Sequence, residues 1–378
     1  MRQQANRSSC REGGCVLTVT LPLLILASVC SRSAVASIFW KQIYEGSSQA
    51  WQNGRCDPEL EVSQQSQHCI LSHPLLKPVL RESLRIGIDL CKLRFRGKRF
   101  NCSINPSTPF LFGKGISKGS HRESAFIHAL ISASVTHGVA RACSAGRLGR
   151  LCTCAVGGLS VSRDDPSGTQ GRSSAAFDWA WSRCGDDTDY GVRIAKALAS
   201  KPRESSSRRK RLHHHNYVAG YQVPVEMEQV ICSCYGHSGS CTQKFCHVKQ
   251  QRARTVSLRL MKQYSRATLV QVRRRSSGGW RLKEVDGGKP SKNSLVYSTP
   301  SPDYCQPDVA LGYPGTKDRE CTNDSSDDEE SCSKLCCGRG FSARTYVKMV
   351  NCHCTRRRFP WPVRCQSCRE EELRYFCK

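Results

Sequence analysis

Cys232-Ser233-Cys234-Tyr235-Gly236-His237-Ser238-Gly239-Ser240-Cys241-Thr242-Gln243-Lys244-Phe245-Cys246 is the stretch on which the reading of this chain turns. Two cysteines precede a Gly/Ser loop and two follow it. Nested pairing, Cys234–Cys241 inside Cys232–Cys246, would staple a tight hairpin. With Gly236 and Gly239 and no bulky core former between them, the loop projects Ser238 into solvent. Gly236-His237-Ser238-Gly239 has the look of a nucleophile turn. That turn, however, requires G-x-S-x-G between strand and helix, and Ser240 stands where the last glycine belongs. No Asp/His pair for a triad is identifiable, so no catalytic residue is assigned and the chain is read as a non-enzyme. Cys232-x-Cys234 and Cys365-x-x-Cys368 have the spacing of zinc ligand pairs. Otherwise Ser238 is simply a loop serine.

Outward from this loop, composition narrows the choice. The chain has 378 residues, 25 of them cysteine, a formal charge of +27 and 38% hydrophobic residues. Dense cysteine argues against a cytosolic enzyme, whose thiols are kept reduced, and points to a secreted scaffold or metal sites. The charge calls for an acidic partner: nucleic acid, a sulfated glycan or an anionic membrane. The amino terminus discriminates. Arg2, Arg7 and Arg11 precede the apolar run Val16–Val29, broken by Pro22, and Ala34-Val35-Ala36 offers a small-x-small cleavage site before Ser37. Residues 1–36 therefore read as a secretory signal peptide, with a signal anchor as the alternative. No later segment approaches ~18 consecutive apolar residues. Losing Cys10, Cys15 and Cys30 leaves 22 cysteines, an even number that reads as up to 11 disulfides and no metal. In that compartment the polyanion is heparan sulfate, not nucleic acid.

The organisation expected is α+β and disulfide-rich. Residues 37–272 form an N-terminal helical bundle domain with stapled hairpins. A helix runs from about 121 to 142, opened by the capping-box pair Ser120 and Glu123, with Phe126, Leu130, Ala133, His137 and Ala140 on one stripe. Residues 76–93, 173–200, 217–231 and 249–272 are also read as helical, 156–172 as a Gly/Ser/Asp loop, 201–216 as a basic linker. A basic linker, 273–304, leads to a small C-terminal cysteine-rich domain, 305–378. Ten cysteines and short Val/Tyr/Phe runs there make a β-hairpin fold.

The 232–241 loop resembles the C-x-C-H-G-x-S-G-S-C signature of the Wnt family of secreted signalling proteins, with Tyr235 in place of the usual His. Further blocks are similar in order. They are Cys91…Phe95…Arg99-Phe100-Asn101-Cys102-Ser103, Arg122-Glu123-Ser124-Ala125-Phe126 through Cys143, Trp181…Cys184, Tyr190-Gly191, Leu212-His213…Asn216…Ala219-Gly220, Cys336-Cys337-Gly338-Arg339-Gly340 and Tyr375-Phe376-Cys377. The resemblance implies a ligand and not a catalyst, with a palmitoleate on Ser238 as its one covalent group and no other cofactor. It implies that the acyl chain enters a groove on the cysteine-rich domain of a Frizzled-type receptor. Phe359, Trp361 and Val363, at the tip of a finger between Cys354 and Cys365, then grip the other side. An acyltransferase, a lipid carrier or membrane escort and a co-receptor are implied partners. Pro302-Asp303-Tyr304-Cys305 and neighbouring segments look most like the eleventh subfamily, linked to cell-polarity signalling.

The pairing that the resemblance implies is Cys91–Cys102, Cys143–Cys152, Cys154–Cys184, Cys232–Cys246 and Cys234–Cys241, with Cys56–Cys69 as an extra pair. In the C-terminal part it is Cys305–Cys337, Cys321–Cys332, Cys336–Cys377, Cys352–Cys368 and Cys354–Cys365. The finger departs from the family: Phe359-Pro360-Trp361-Pro362-Val363 lacks the usual adjacent Cys-Cys. The two prolines stiffen the tip and remove two donors. Exposed aromatics on a rigid hairpin suit a partner's pocket, the alternative being that they pack on their own domain.

Asn101 and Asn323 open N-x-S acceptors for glycosylation. Arg208-Arg209-Lys210-Arg211 has three readings: a solvated charge run, part of a heparan sulfate patch, or a furin-type cleavage site before Leu212. Arg273–Arg275 and Arg356–Arg358 are further polyanion candidates. A heparin-binding matrix protein without acyl group, or an antagonist of the family, is the rival reading.

Overall fold

One helix organises the chain. In the computed structural model, described over residues 40–41, 43–45, 73–152, 180–181, 185–199, 207–237, 243–276, 278–323, 329–355 and 364–378, the helix Arg122–Ser144 is buried along most of its length. Because apolar and small residues line it nearly all round, it sits at the centre of its neighbours. Number it α3, after α1 (Leu76–Arg94) and the short α2 (Gly113–Lys118). It packs against α1, α4 (Thr188–Ala199), α5 (Arg208–Glu226) and α6 (Ala253–Ser265). α1 turns a stripe of Leu76, Val79, Leu80, Leu84 and Ile88 inward. α5 comes close because Gly220 has no side chain: a Cβ there would lie 2.2 Å from the Ala129 carbonyl oxygen. Gly191 serves α4 in the same way against Thr136. A T-shaped aromatic cluster, Phe95 with Phe100, Phe126 and Tyr264, fills the far end.

Three small sheets surround this bundle. β1 (Ala180–Trp181), β2 (Gln229–Tyr235) and β3 (Gln243–Lys249) form one, in the order β1-β3-β2. β4 (Thr268–Arg274), β5 (Trp280–Glu284) and β6 (Val296–Tyr297) form the second, ordered β5-β4-β6. β7 (Glu320–Cys321), β8 (Phe341–Thr355) and β9 (Arg364–Cys377) form the third, ordered β7-β9-β8, with the one-turn α7 (Cys332–Leu335) at its base. Helices, hairpins and eight disulfides among the described residues make this an α+β, disulfide-rich fold.

Several local expectations are corrected. The N-cap residue of α3 is His121, not Ser120. The 173–200 helix begins only at Thr188, where Asp187 Oδ1 accepts the Tyr190 N–H (2.9 Å), and Ala180–Trp181 is strand. Part of the supposed linker 201–216 is the first half of α5, entered through Ser207, whose side chain accepts the Lys210 N–H. Helix 217–231 gives way to β2 at Gln229, and 249–272 to β4 at Thr268, where a β-branched run takes over. Residues 273–304 are folded: they carry β5 and β6, and Leu282 and Val296 pack with Leu212 and Val270 in a small core. The 156–172 loop lies outside the described residues.

Candidate functional site

The fold holds two disulfide-pinned hairpins, and the residues expected from the sequence to carry the chemistry fall between their paired strands. In the first, β2 and β3 pair antiparallel with Cys232 opposite Cys246, and a disulfide joins them with Cα atoms 4.0 Å apart. Pairing runs outward to Tyr235 opposite Gln243. Cys234 is also disulfide-bonded. Gly236 and His237 leave the strand exposed. Ser238, Gly239, Ser240 and Cys241 lie outside the described residues.

The stem of this hairpin is tied to the bundle by polar groups. Asp186 Oδ1 accepts from Ser144 Oγ (2.5 Å) at the end of α3, and Asp186 Oδ2 accepts the Gln250 N–H (2.8 Å) just beyond β3. The Gln250 side chain is buried and donates to Thr188 Oγ1 (2.9 Å). The Asp186 N–H donates to Val248 O (2.9 Å). Sequence reasoning missed Asp186 and Gln250. The only signal for them was the Asp186-Asp187-Thr188 run, which marks a helix start and says nothing of a hairpin.

The second hairpin is longer. β8 and β9 pair from Phe341 opposite Cys377 to Cys352 opposite Gln366, and again at Thr355 opposite Arg364. A bulge intervenes, with His353 at φ 45°. Cys352–Cys368 and Cys354–Cys365 cross-link it near the tip, and Cys336–Cys377 and Cys321–Cys332 at the base. Most of β8 is exposed on both faces, so backbone pairing and covalent rungs, not a core, hold it out. Arg344 reaches Asp318 (3.0 Å) and stands over the Phe376 ring, and Arg374 reaches Glu372 (2.9 Å) and stands over Tyr346. Arg356 to Arg358, Phe359, Trp361 and Val363 lie outside the described residues.

Three further disulfides, Cys91–Cys102, Cys143–Cys152 and Cys305–Cys337, complete the eight among the described residues. Cys56, Cys69, Cys154 and Cys184 lie outside the described residues, as do residues 1–36. Asn101 is half-buried, its Oδ1 accepting from Ser103 Oγ (2.6 Å), and Asn323 is exposed. The run Arg208–Arg211 is the first turn of α5, and Leu212 behind it is 1% exposed. A furin-type protease needs extended backbone there and meets a helix with its next residue in a core.

The Arg122-Glu123-Ser124-Ala125-Phe126 block also finds its physical role. Glu123 is buried at the start of α3 and accepts hydrogen bonds from Tyr264 (2.8 Å), Ser301 (2.8 Å) and Tyr304 (3.1 Å), with His121 Nδ1 3.0 Å away. Burial pushes its carboxyl up, but the bonds from His121, its own backbone and Ser301 prevail and hold it down to about 2. Arg122 lies between the Tyr264 and Tyr297 rings. One buried carboxylate thus joins α3, α6 and the 301–304 segment.

The model of the Wnt family matches residues 58–378. Mouse Wnt-3a is 34% identical over 310 residues, 80% of this chain and 83% of that protein. The chain belongs to the Wnt family. Mouse Wnt-5b is 35% identical over 79% of this chain and 80% of its own, and Wnt-11b-2 of Xenopus tropicalis 33% identical over 94% and 98%. These identities lie too close together to single out a Wnt subfamily, the eleventh included. A chain in the solved structure of human WLS in complex with WNT8A shares the fold, with TM-score 0.55, 24% identity, and 80% of this chain and 94% of that one covered. Among the described residues of this Wnt, no helix is long and apolar enough to cross a membrane.

Proposed function

We propose that this chain is a secreted, lipid-modified Wnt ligand. Membership of the family, with a rigid hairpin stem under each critical tip, carries this reading. Ser238 bears a palmitoleate at the end of the β2–β3 hairpin, and the acyl chain enters a groove on a Frizzled-type cysteine-rich domain. Burying aliphatic carbon contributes about 0.8 kcal/mol per CH₂, so half of such a chain outweighs most side-chain contacts. Phe359, Trp361 and Val363 at the end of the β8–β9 hairpin grip the same domain elsewhere. The role is binding, not catalysis.

A lipidated ligand needs a carrier or escort, and the fold neighbour solved with human WLS supports an escort of that kind. Residues 1–36 act as a signal peptide, Asn101 and Asn323 carry glycans, and heparan sulfate proteoglycans hold the ligand in the extracellular matrix. A co-receptor and cell-polarity signalling belong to the same reading.

The test is mass spectrometry of the secreted protein across residues 232–246, with and without reduction. A monounsaturated C16 acyl mass on Ser238, absent from Ser238→Ala, is the expected result. An unmodified Ser238 in protein from acyltransferase-competent cells would overturn the lipid-dependent mechanism, and the unacylated matrix-protein or antagonist reading would replace it.

A further inference from the structure

Two arginine runs that are some sixty residues apart in sequence meet on the β4–β5 ribbon. Strand alternation sorts this ribbon into two faces. Val270, Val272 and Leu282 turn inward onto Leu212 and Val296. Gln271, Arg273, Arg281 and Lys283 turn outward, all exposed. Arg273 stands directly opposite Arg281 across the strands. Like charges so placed destabilise a sheet. Among the described residues, no carboxylate forms an ion pair with Arg208, Arg209, Arg273, Arg274, Arg281 or Lys283. The guanidinium of Arg273 is instead held by a neutral group, donating to Gln271 Oε1 through Nη2 (2.7 Å) and Nε (3.1 Å).

The surface around this pair is concave. One cavity of about 660 Å³ is lined by Arg273, Arg274, Arg275, Arg281, Lys283 and Lys289. A second, of about 520 Å³, lies between β4 and α5 and shares Arg273, adding Lys118, Arg208 and Arg209. The Arg208 guanidinium lies 5.4 Å from the Trp280 ring centroid, which fixes the α5 run against the ribbon. The α5 run also sits at the positive end of its helix, with no acidic residue in the first turn. Two independent placements, a cross-strand arginine pair and a basic helix start, thus concentrate unneutralised cations around one pair of joined hollows.

We propose that these hollows form one binding track for a linear sulfated polysaccharide, with Arg273 and Arg281 holding neighbouring sulfates and Arg208 and Arg209 the next. This rests on, and deepens, the heparan sulfate reading above, by assigning a site and by leaving out Arg356–Arg358. Closely spaced anionic groups on a narrow chain match two adjoining hollows better than a flat membrane surface does. Planar guanidinium forks also suit sulfate.

The test is elution of the full, secreted protein from immobilised heparin with rising NaCl. A triple variant, Arg273→Ser, Arg274→Ser and Arg281→Ser, is compared with a triple of equal charge loss elsewhere, Lys92→Ser, Arg150→Ser and Arg266→Ser. All six positions are exposed. The ribbon triple is expected to weaken heparin binding about tenfold or more and to elute at clearly lower salt, the control far less. Lys283→Ser with Lys289→Ser, a milder pair, is expected to shift in the same direction should the triple fail to be secreted. Equal shifts for the ribbon and control variants would overturn the site while leaving polyanion binding intact. Wild-type protein that passes through heparin at physiological salt would overturn the heparan sulfate reading itself. Wild-type capture by phosphatidylserine vesicles, lost in the ribbon triple, with no retention on heparin would assign the surface to membranes and sink the proposal.

Discussion

At the residue scale, buried titratable groups set how this protein answers acid. His128 is buried in α3, neither ring nitrogen finds a hydrogen-bond partner among the described residues, and its ring lies tilted against that of His213 with centroids 4.0 Å apart. His213 Nε2 donates to the Gly119 carbonyl (2.7 Å). Burial, above all, lowers both, His213 to about 4; charge on His213 also opposes charge on His128, and Arg209 opposes it on His213. The unfolded chain takes up these protons below about 6.5, whereas the folded chain resists, so stability is complete above that pH and falls as pH drops toward 4. His213 alone contributes roughly 3 kcal/mol to that fall. Glu123 extends it: held down to about 2 when folded, it costs stability as pH drops through the unfolded value near 4.5. Thermal melts at pH 7.5, 5.5 and 4 should show a progressive loss, and His213→Gln should flatten the upper part of it. A flat profile in the wild type would mean these histidines are not buried neutral. Glu123→Gln at pH 7.5 should cost about 2 kcal/mol, because the amide that replaces the carboxylate cannot accept all the bonds from Tyr264, Ser301 and Tyr304.

At the scale of elements, the hairpins depend on what grips their stems. Asp186→Ala removes acceptors for Ser144 and Gln250, a loss of roughly 2 kcal/mol. Amide exchange should quicken in β3 while α3 stays protected, and equal protection in both would show that Asp186 does not anchor the hairpin. α5 makes an independent prediction. Incubated native with a furin-type protease, the Arg211–Leu212 bond should stay intact, since Leu212 is packed with Val270, Leu282 and Val296. It should be cut once Gly220→Val forces α5 off α3. Cutting of the native wild type would contradict the helix. These elements also show what a sequence reveals. The helix around Ala125–Ala140 was legible because Phe126, Leu130, Ala133, His137 and Ala140 recur at helical spacing on one stripe. The start of α5 and the strand β5 were not, because Arg, Lys and Ser runs read as linker until Leu212 and Leu282 are known to meet. The Cys232–Cys246 stem was visible as a pattern of cysteines, but its partners came from family likeness, since spacing alone allows many pairings. Asp186 and Gln250 were hidden because their contacts span more than forty residues of chain.

At the scale of the whole molecule, two disulfide-pinned hairpins, β2–β3 and β8–β9, set the geometry on which the proposed receptor contacts depend. The longest ribbon, β8–β9, is exposed on both faces and stiffened by Cys352–Cys368 and Cys354–Cys365. A rigid projection loses little freedom on binding, so contacts at its tip are retained as affinity. If the acyl chain on Ser238 and the aromatics on the finger engage one receptor domain from separate places, their losses add. Ser238→Ala should weaken binding to a Frizzled-type cysteine-rich domain about a thousandfold or more, since several buried CH₂ groups are lost. Trp361→Ala should weaken it about thirtyfold, typical of an aromatic anchor. The double variant should show the product of the two factors, within about 0.5 kcal/mol, because distant sites without shared partners combine independently. Binding of separately prepared variants to the immobilised domain, with folding checked by melting, measures all three. A double variant no weaker than Ser238→Ala alone would mean the finger engages only after the lipid. A Trp361→Ala protein of full affinity would mean the aromatics pack on their own domain. The second result would reduce the receptor contact to one hairpin, and the rigidity of β8–β9 would then need another explanation.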